Sequence, residues 1–318
     1  MSTLPDIATP LSETEAEAAF GVLLDGAPAE QEIADFLVAL SARGETSDEI
    51  AGAARALRAR LIPINAPEGA IDVCGTGGDG HHTLNVSTAV SLVVAACGVP
   101  VAKHGNRAAS SKAGAADTLE ALGLNLDRAS EQAEATLGDL GLCFLFAQKH
   151  HPALAPLAPI RKSLGRRTVF NLTGPLANPA GVTRQLIGIA RPDFLPVYAE
   201  AIGQLDYDTV MLVSGDEPLD EISVCGPSTC LKVGTAPFRI NPEDIGLPCH
   251  TPDALRGGDA AYNADALRRL LGGETGAYRD AVLLNAAAAL MVAGHAEDWQ
   301  SGMEEAAEVI DKGLAKAL

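Results

Sequence analysis

IDVCGTGGDGHHTLNVST, residues 71–88, runs from a short apolar segment through a glycine cluster into a polar helix start. Gly75, Gly77 and Gly80 stand at the spacing G-x-G-x-x-G. A strand feeding such a loop and then a helix leaves free backbone N–H groups at the helix N-terminus, which attract anions. Asn85 or Ser87 is the expected N-cap. Two nucleotide-binding readings of the loop fail. A dinucleotide fingerprint expects an acidic residue about 20 positions on, for the ribose hydroxyls, yet no Asp or Glu lies between Asp79 and Asp117. A P-loop expects Lys and Ser/Thr after its second glycine, whereas Gly80 is followed by His81 and His82. A phosphate loop of a third kind remains, beside the plainer alternative of a structural turn.

The next strand end reads VAKHGNRAASSKAG, residues 101–114. It sets Lys103, His104, Asn106, Arg107, Ser110, Ser111 and Lys112 around Gly105 and Gly114. Carboxyl ends of neighbouring parallel strands share one crevice, where ligands bind. Two donor-rich loops there imply one polyanionic ligand between them. Residues 101–167 hold nine Lys/Arg against six Asp/Glu, a local excess of positive charge in a chain of net charge -18. A further constellation is SGDEPLDEISVCGPS, residues 214–228. Asp220 and Glu221 are adjacent hard oxygen donors behind an apolar strand; they suit Mg²⁺ shared with substrate phosphates, or else form an acidic surface turn.

Further out, residues 1–65 read as a small helical domain. Ser12 with Glu15, and Thr46/Ser47, provide N-terminal caps, and apolar stripes follow each. After the turn-rich linker at 63–70, residues 70–318 alternate strand and helix patterns: AIDVCG, helix 87–97, VPVAKHG, helix 111–122, CFLFA, TVFNL, RQLIGIA, DTVMLVSG and EISVCG. That alternation predicts an α/β fold with a mostly parallel central sheet flanked by helices. The segment 151–167 has a helical pattern and is expected to pack back on the first domain.

Length and composition are those of a globular chain: 318 residues, 47% hydrophobic and 20% charged, enough for about two domains. The acidic balance argues against a nucleic-acid or anionic-membrane partner, since those contacts need clustered Lys and Arg. No basic-then-apolar leader is evident, and the apolar runs at 92–102 and 281–294 fall short of the roughly 20 residues that span a bilayer. Six scattered cysteines without C-x-x-C pairs suggest reduced, buried thiols and a cytoplasmic location. The histidines form no zinc pattern, and no G-x-S-x-G elbow is present.

Taken in order, GTGGDG…NVST, KHGNRAASSKAGAADTLEALG, HPALAPLAPIRKSLGRRTVFNLTGPLANPAG and DEIS resemble the signature segments of the anthranilate phosphoribosyltransferase family, over nearly the whole chain. The resemblance implies transfer of a phosphoribosyl group from phosphoribosyl pyrophosphate (PRPP) to the amine of anthranilate, with Mg²⁺, in tryptophan biosynthesis. It also implies a homodimer formed through the helical domain, and no covalent nucleophile or dedicated base. Carried over by motif, Gly75, Thr76, Gly77, Gly78, Asp79, Thr83, Asn85, Ser87, Thr88, Lys103, Arg107, Ser110 and Ser111 would meet PRPP. Ser87, Asp220 and Glu221 would hold metal. Gly75, His104, Asn106, Ala147, His151 and Arg161 would line the anthranilate site. The chain departs from the family at Ala113 and Ala115, where relatives often carry Ser, and at Thr173 and Ala177. A pyrimidine-nucleoside phosphorylase and a non-catalytic nucleic-acid-binding relative share the implied fold and stand as alternatives.

Overall fold

The computed structural model describes residues 4–108 and 112–318. Three helices come first: α1 (Glu13–Leu24), α2 (Glu30–Arg43) and α3 (Ser47–Arg58). Ser12 caps α1 and Thr46 caps α3, each in a reciprocal capping box with Glu15 and Glu49. α3 is buried on two sides. Its Ala53, Ala56 and Leu57 pack with Phe20, Leu23 and Leu37, while Ile50, Ala51 and Ala54 join a second core with Tyr198 and Ile202. Gly52 permits the close crossing of α1 and α3, because a Cβ there would meet the Ala16 Cβ at 2.7 Å.

The remaining elements are β1 (Ile71–Gly75), α4 (Val86–Ala96), β2 (Val101–Gly105), α5 (Ala115–Ala121), α6 (Leu126–Glu131), α7 (Ala133–Leu140), β3 (Leu142–Phe146), α8 (Ala147–His150), α9 (Ala158–Leu164), α10 (Val169–Thr173), β4 (Arg184–Gly188), α11 (Leu195–Gly203), β5 (Thr209–Gly215), β6 (Ser228–Lys232), β7 (Phe238–Ile240), α12 (Ala260–Leu271), α13 (Ala277–Ala293), α14 (Trp299–Asp311) and α15 (Leu314–Ala317). The seven strands form one sheet in the order β3-β2-β1-β4-β5-β6-β7. Strands β1 to β5 pair in parallel, and β6 and β7 add antiparallel. From β1 the chain builds outward through β2 to β3, then returns to lay β4 on the other side of β1. The order therefore reverses between β1 and β4, and at such a switch point the carboxyl ends of the strands open a crevice. The glycine loop leaves β1 at that place and the KHGNR loop leaves the neighbouring β2.

Both faces of the sheet are covered, which is why its inner strands read as nearly unbroken apolar runs. Val73, Val101, Leu186 and Met211 pack with Val90 and Val93 of α4, Leu267 of α12 and Leu284 and Leu290 of α13. Ile187 and Leu212 pack on the other face with Tyr198 and Ile202 of α11. Leu157 and Ile160, from the segment 151–167, lie in the same apolar cluster as Phe20 and Leu37.

Several expectations are corrected. TVFNL is not a strand but α10, capped by a Thr168/Asn171 capping box, with Val169, Phe170, Leu172 and Thr173 all buried. EISVCG is a loop. Its apolar alternation places Ile222 and Val224 in the core, and its backbone is bonded by a side chain instead of a ladder: Ile222 N–H donates to Asn285 Oδ1 at 3.0 Å and Asn285 Nδ2 donates to the Ile222 carbonyl at 2.9 Å. The strands β6 and β7 lay outside the sequence reading. All six cysteines are free, but only Cys143 and Cys230 are fully buried; Cys74, Cys97 and Cys225 are half-buried and Cys249 is exposed.

Candidate active site at the switch point

The glycine loop opens directly from the sheet. Thr76 N–H donates to the Gly188 carbonyl at 2.9 Å, and the Thr76 hydroxyl accepts from Ala190 N–H at 3.3 Å, so the β1–β4 pairing continues one residue into the loop. Gly77, Gly78 and Gly80 have φ of 67°, 79° and 78°, a left-handed conformation that side chains resist. Gly77 N–H donates to Asp220 Oδ2 at 2.7 Å, and Asp79 Oδ1 accepts from His81 N–H at 3.1 Å.

Asp220 reaches the loop because two glycines make room for it. A Cβ on Gly188 would overlap the Asp220 carbonyl, and one on Gly75 would strike the Asp220 carboxylate. Ser87, Asp220 and Glu221 line one small cavity together with Cys74, Gly188 and Asn285. Burial, and then the neighbouring Asp79, pushes the Asp220 carboxyl up to about 7. Burial, Asp220 and Asp79 raise Glu221 well above the ordinary carboxylate range, while Ser87 N–H and Lys103 oppose that rise. Carboxylates crowded in this way hold their charge poorly by themselves, and a hard cation would relieve the repulsion. Among the described residues no three His, Cys, Asp or Glu side chains form a self-sufficient metal cage. Two carboxylates and a hydroxyl are instead the partial donor set that Mg²⁺ takes up with substrate phosphates, so the residues fit that ion.

Lys103 is buried in the sheet and reaches the site from beneath. Its Nζ donates to the Val73 carbonyl at 2.8 Å and to Ser87 Oγ at 3.3 Å. Burial lowers its pKa, and Asp72, Cys74 and Glu221 oppose the shift. The buried Asp72 escaped the sequence reading, although an acid inside an apolar strand is itself a signal. Its carboxylate accepts from His104 N–H at 3.2 Å and from Asn178 Nδ2 at 2.8 Å, joining β1, β2 and the segment after α10.

Other expected PRPP contacts are differently engaged. Asn85 precedes α4 but makes no capping bond, and Ser87 lies within the helix's first turn. The Asn85 amide bridges loops instead: Oδ1 accepts from the Thr118 hydroxyl at 2.5 Å and from Asn263 Nδ2 at 3.0 Å, and Nδ2 donates to the Ala113 carbonyl at 3.3 Å. The Thr88 hydroxyl is buried with no hydrogen bond among the described residues. Thr83 makes a bridge to Arg256, and Arg107 is paired with Asp117 and Glu120, each at 2.8 Å. Ser110 and Ser111 lie outside the described residues.

On the β2 side, His104 and His151 face each other with Nε2 to Nε2 at 3.2 Å. Burial, His151 and His150 drive His104 well below the ordinary histidine range, and burial then His150 lower His151 to about 4. Both rings are therefore neutral at pH 7. Asn106 is exposed; its Oδ1 accepts from Arg107 N–H at 2.8 Å. Ala147 is the first residue of α8, immediately after β3. Arg161, on α9, lies over the Phe170 ring at 5.6 Å from its centroid, and no ion pair holds its guanidinium among the described residues. Burial alone lowers its pKa.

A helical bundle is joined to an α/β domain, and a glycine loop and an acidic pair meet at the switch point of its sheet. The model of the glycosyl transferase family a/b domain matches residues 67–316, and that of its helical bundle domain matches residues 8–61. The anthranilate phosphoribosyltransferase of Novosphingobium aromaticivorans is 68% identical over 321 residues, covering 100% of this chain and 97% of the relative. The crystal structure of anthranilate phosphoribosyltransferase from Thermus thermophilus superposes with a TM-score of 0.91 at 42% identity, over 98% of this chain and 94% of that one. The Saccharomyces cerevisiae anthranilate phosphoribosyltransferase in complex with PRPP and Mg gives a TM-score of 0.90 at 28% identity, over 96% of this chain and 91% of that one. This chain belongs to the anthranilate phosphoribosyltransferase family.

Proposed function

We infer that the chain is a pentosyltransferase that moves the 5-phosphoribosyl group of PRPP onto the amine of anthranilate, releasing pyrophosphate, with the crevice beside β1 as its active site. The observation that carries the site is the bond from Gly77 N–H to Asp220 Oδ2, which brings the left-handed glycine loop against the acidic pair where Ser87, Asp220 and Glu221 line one small cavity at the switch point. Breaking the C1–O bond of the sugar leaves cationic character on the ribose and negative charge on the departing pyrophosphate. Stabilisation is therefore most effective at the leaving group. The loop N–H groups beyond Gly77, which follow those already bonded to the Gly188 carbonyl and Asp220, would supply fixed donors there. When bound, Mg²⁺ would be held by Asp220, Glu221 and Ser87 and would neutralise pyrophosphate charge.

Anthranilate needs an apolar wall for its ring and a cation for its carboxylate. Arg161 supplies a guanidinium that no protein carboxylate occupies among the described residues, able to donate two parallel N–H bonds to the substrate's carboxylate. His104 and His151, kept neutral, add polar edges without a competing positive charge. The amine already carries a lone pair, so positioning dominates and no covalent intermediate is required. The same reading carries a homodimer through the helical domain, which sedimentation at several protein concentrations tests by mass. No helix among the described residues is long and apolar enough to cross a membrane.

The test is a mixture of protein, Mg²⁺, PRPP and anthranilate, followed by anthranilate fluorescence. Loss of fluorescence that depends on PRPP is expected. A silent mixture, together with phosphorolysis of a pyrimidine nucleoside or tight binding of single-stranded DNA, would replace this reading with one of its two alternatives.

A further inference from the structure

We propose that His81 is a positioning residue that fastens the glycine loop to the acidic loop and so sets the geometry of the PRPP end of the crevice. The proposal rests on the reading that PRPP binds there. His81 is half-buried between the two loops. Its Nε2 pairs with the backbone carbonyl of Glu217, and since a carbonyl only accepts, Nε2 carries the proton. Its backbone N–H donates to Asp79 Oδ1 at 3.1 Å. One residue thus orients the Asp79 carboxylate and ties its loop to the opposite wall.

Glu217 is a firm post for that tie. Its carboxylate accepts from the Ser223 hydroxyl, which in turn accepts from Cys225 N–H at 2.9 Å, and Ser223 N–H donates to Ser228 Oγ at 2.8 Å, at the start of β6. The base of the turn is closed by Gly215 N–H to the Leu219 carbonyl at 2.9 Å and Asp216 N–H to the Pro227 carbonyl at 3.0 Å. Another bond between the glycine loop and the acidic loop, Gly77 N–H to Asp220 Oδ2, engages a carboxylate that the metal site also needs. The His81 bond consumes no such oxygen. The next residue, His82, is held at φ 54°, a left-handed conformation seldom taken by side-chain-bearing residues, and its carbonyl accepts from Gly257 N–H at 2.8 Å. A loop fixed in this way loses less freedom when a ligand orders it, which favours affinity.

Three variants test the role. His81→Ala removes the donor, His81→Gln retains a donor at nearly the reach of Nε2, and His81→Asn retains one that is too short. Amide hydrogen exchange at residues 76–83 is measured on the ligand-free protein, and KM for PRPP and for anthranilate on the Mg²⁺-supplied enzyme. His81→Ala and His81→Asn should exchange faster across 76–83 and raise KM for PRPP about fivefold, the size of one net hydrogen bond, with KM for anthranilate unchanged. His81→Gln should restore both quantities. Wild-type exchange in His81→Ala, or identical behaviour of the Gln and Asn variants, would overturn the proposal. Exchange decides the loop tie even for a protein that fails to consume PRPP, so failure of the functional reading and failure of the tie remain distinct.

Discussion

Arg161→Ala separates binding from stability. In the free protein the guanidinium stacks on Phe170, and burial disfavours its charge without an ion pair among the described residues to compensate. Truncation therefore removes a cation–π contact of about 0.5–1 kcal/mol and also relieves a desolvation cost of opposite sign. The two nearly cancel, and the unfolding midpoint should stay within a few degrees of wild type. With anthranilate bound, the same change deletes charge-assisted hydrogen bonds of about 1.5–3 kcal/mol. At about 1.4 kcal/mol per tenfold, KM for anthranilate should rise roughly 10- to 150-fold while KM for PRPP stays near its original value. Steady-state fluorescence kinetics with each substrate varied in turn, beside thermal unfolding of the free protein, measure both sides. Equal losses for the two substrates, or a large fall in the midpoint, would show that Arg161 supports the fold and not the carboxylate.

Gly188→Ala should cost about 1–3 kcal/mol of stability by overpacking against the Asp220 backbone and lower kcat/KM for PRPP at least tenfold; Gly203→Ala, at the end of α11 with nothing within 4 Å of its Cβ, should leave both intact, and equal activity in the two variants would contradict the close approach. Because burial raises Asp220 to about 7 and also raises Glu221, charging them destabilises the free protein as pH rises, and Mg²⁺ with pyrophosphate should raise the unfolding midpoint more at pH 8 than at pH 6; a shift independent of pH would count against these ligands. His104 and His151 are held neutral in the fold but gain protons when unfolded, with an ordinary pKa of about 6.5, so stability should fall as pH drops from there toward 4. Urea unfolding at pH 7 and pH 4.5 should show a smaller acid loss for His151→Asn than for wild type, and equal losses would refute that cause.

The parts of the fold visible in the sequence were those governed by local rules. Ser12 with Glu15 and Thr46 with Glu49 announced two helix starts, and both capping boxes formed. The apolar runs of β1 to β5 followed from burial on both sheet faces. TVFNL misled because β-branched and aromatic residues suit any buried surface, and tertiary packing against Phe20 made it a helix turn. EISVCG misled because alternation reports burial and not pairing: Asn285, 63 positions away from Ile222, satisfied the backbone that a strand partner would have satisfied. In the site, spacing found the glycine loop and the acidic pair. It was silent on Asp72, on the empty space Gly188 leaves for Asp220, and on the engagement of Asn85 and Arg107 by protein partners, since each depends on residues brought together only by the sheet order.

The most direct test of the account is turnover by the double variant Asp220→Asn/Glu221→Gln. With Mg²⁺, PRPP and anthranilate, the wild-type chain should extinguish anthranilate fluorescence, and the variant should fold yet leave the signal unchanged. Undiminished turnover by the folded variant would contradict a phosphoribosyl-transfer site built on the glycine loop and the acidic pair.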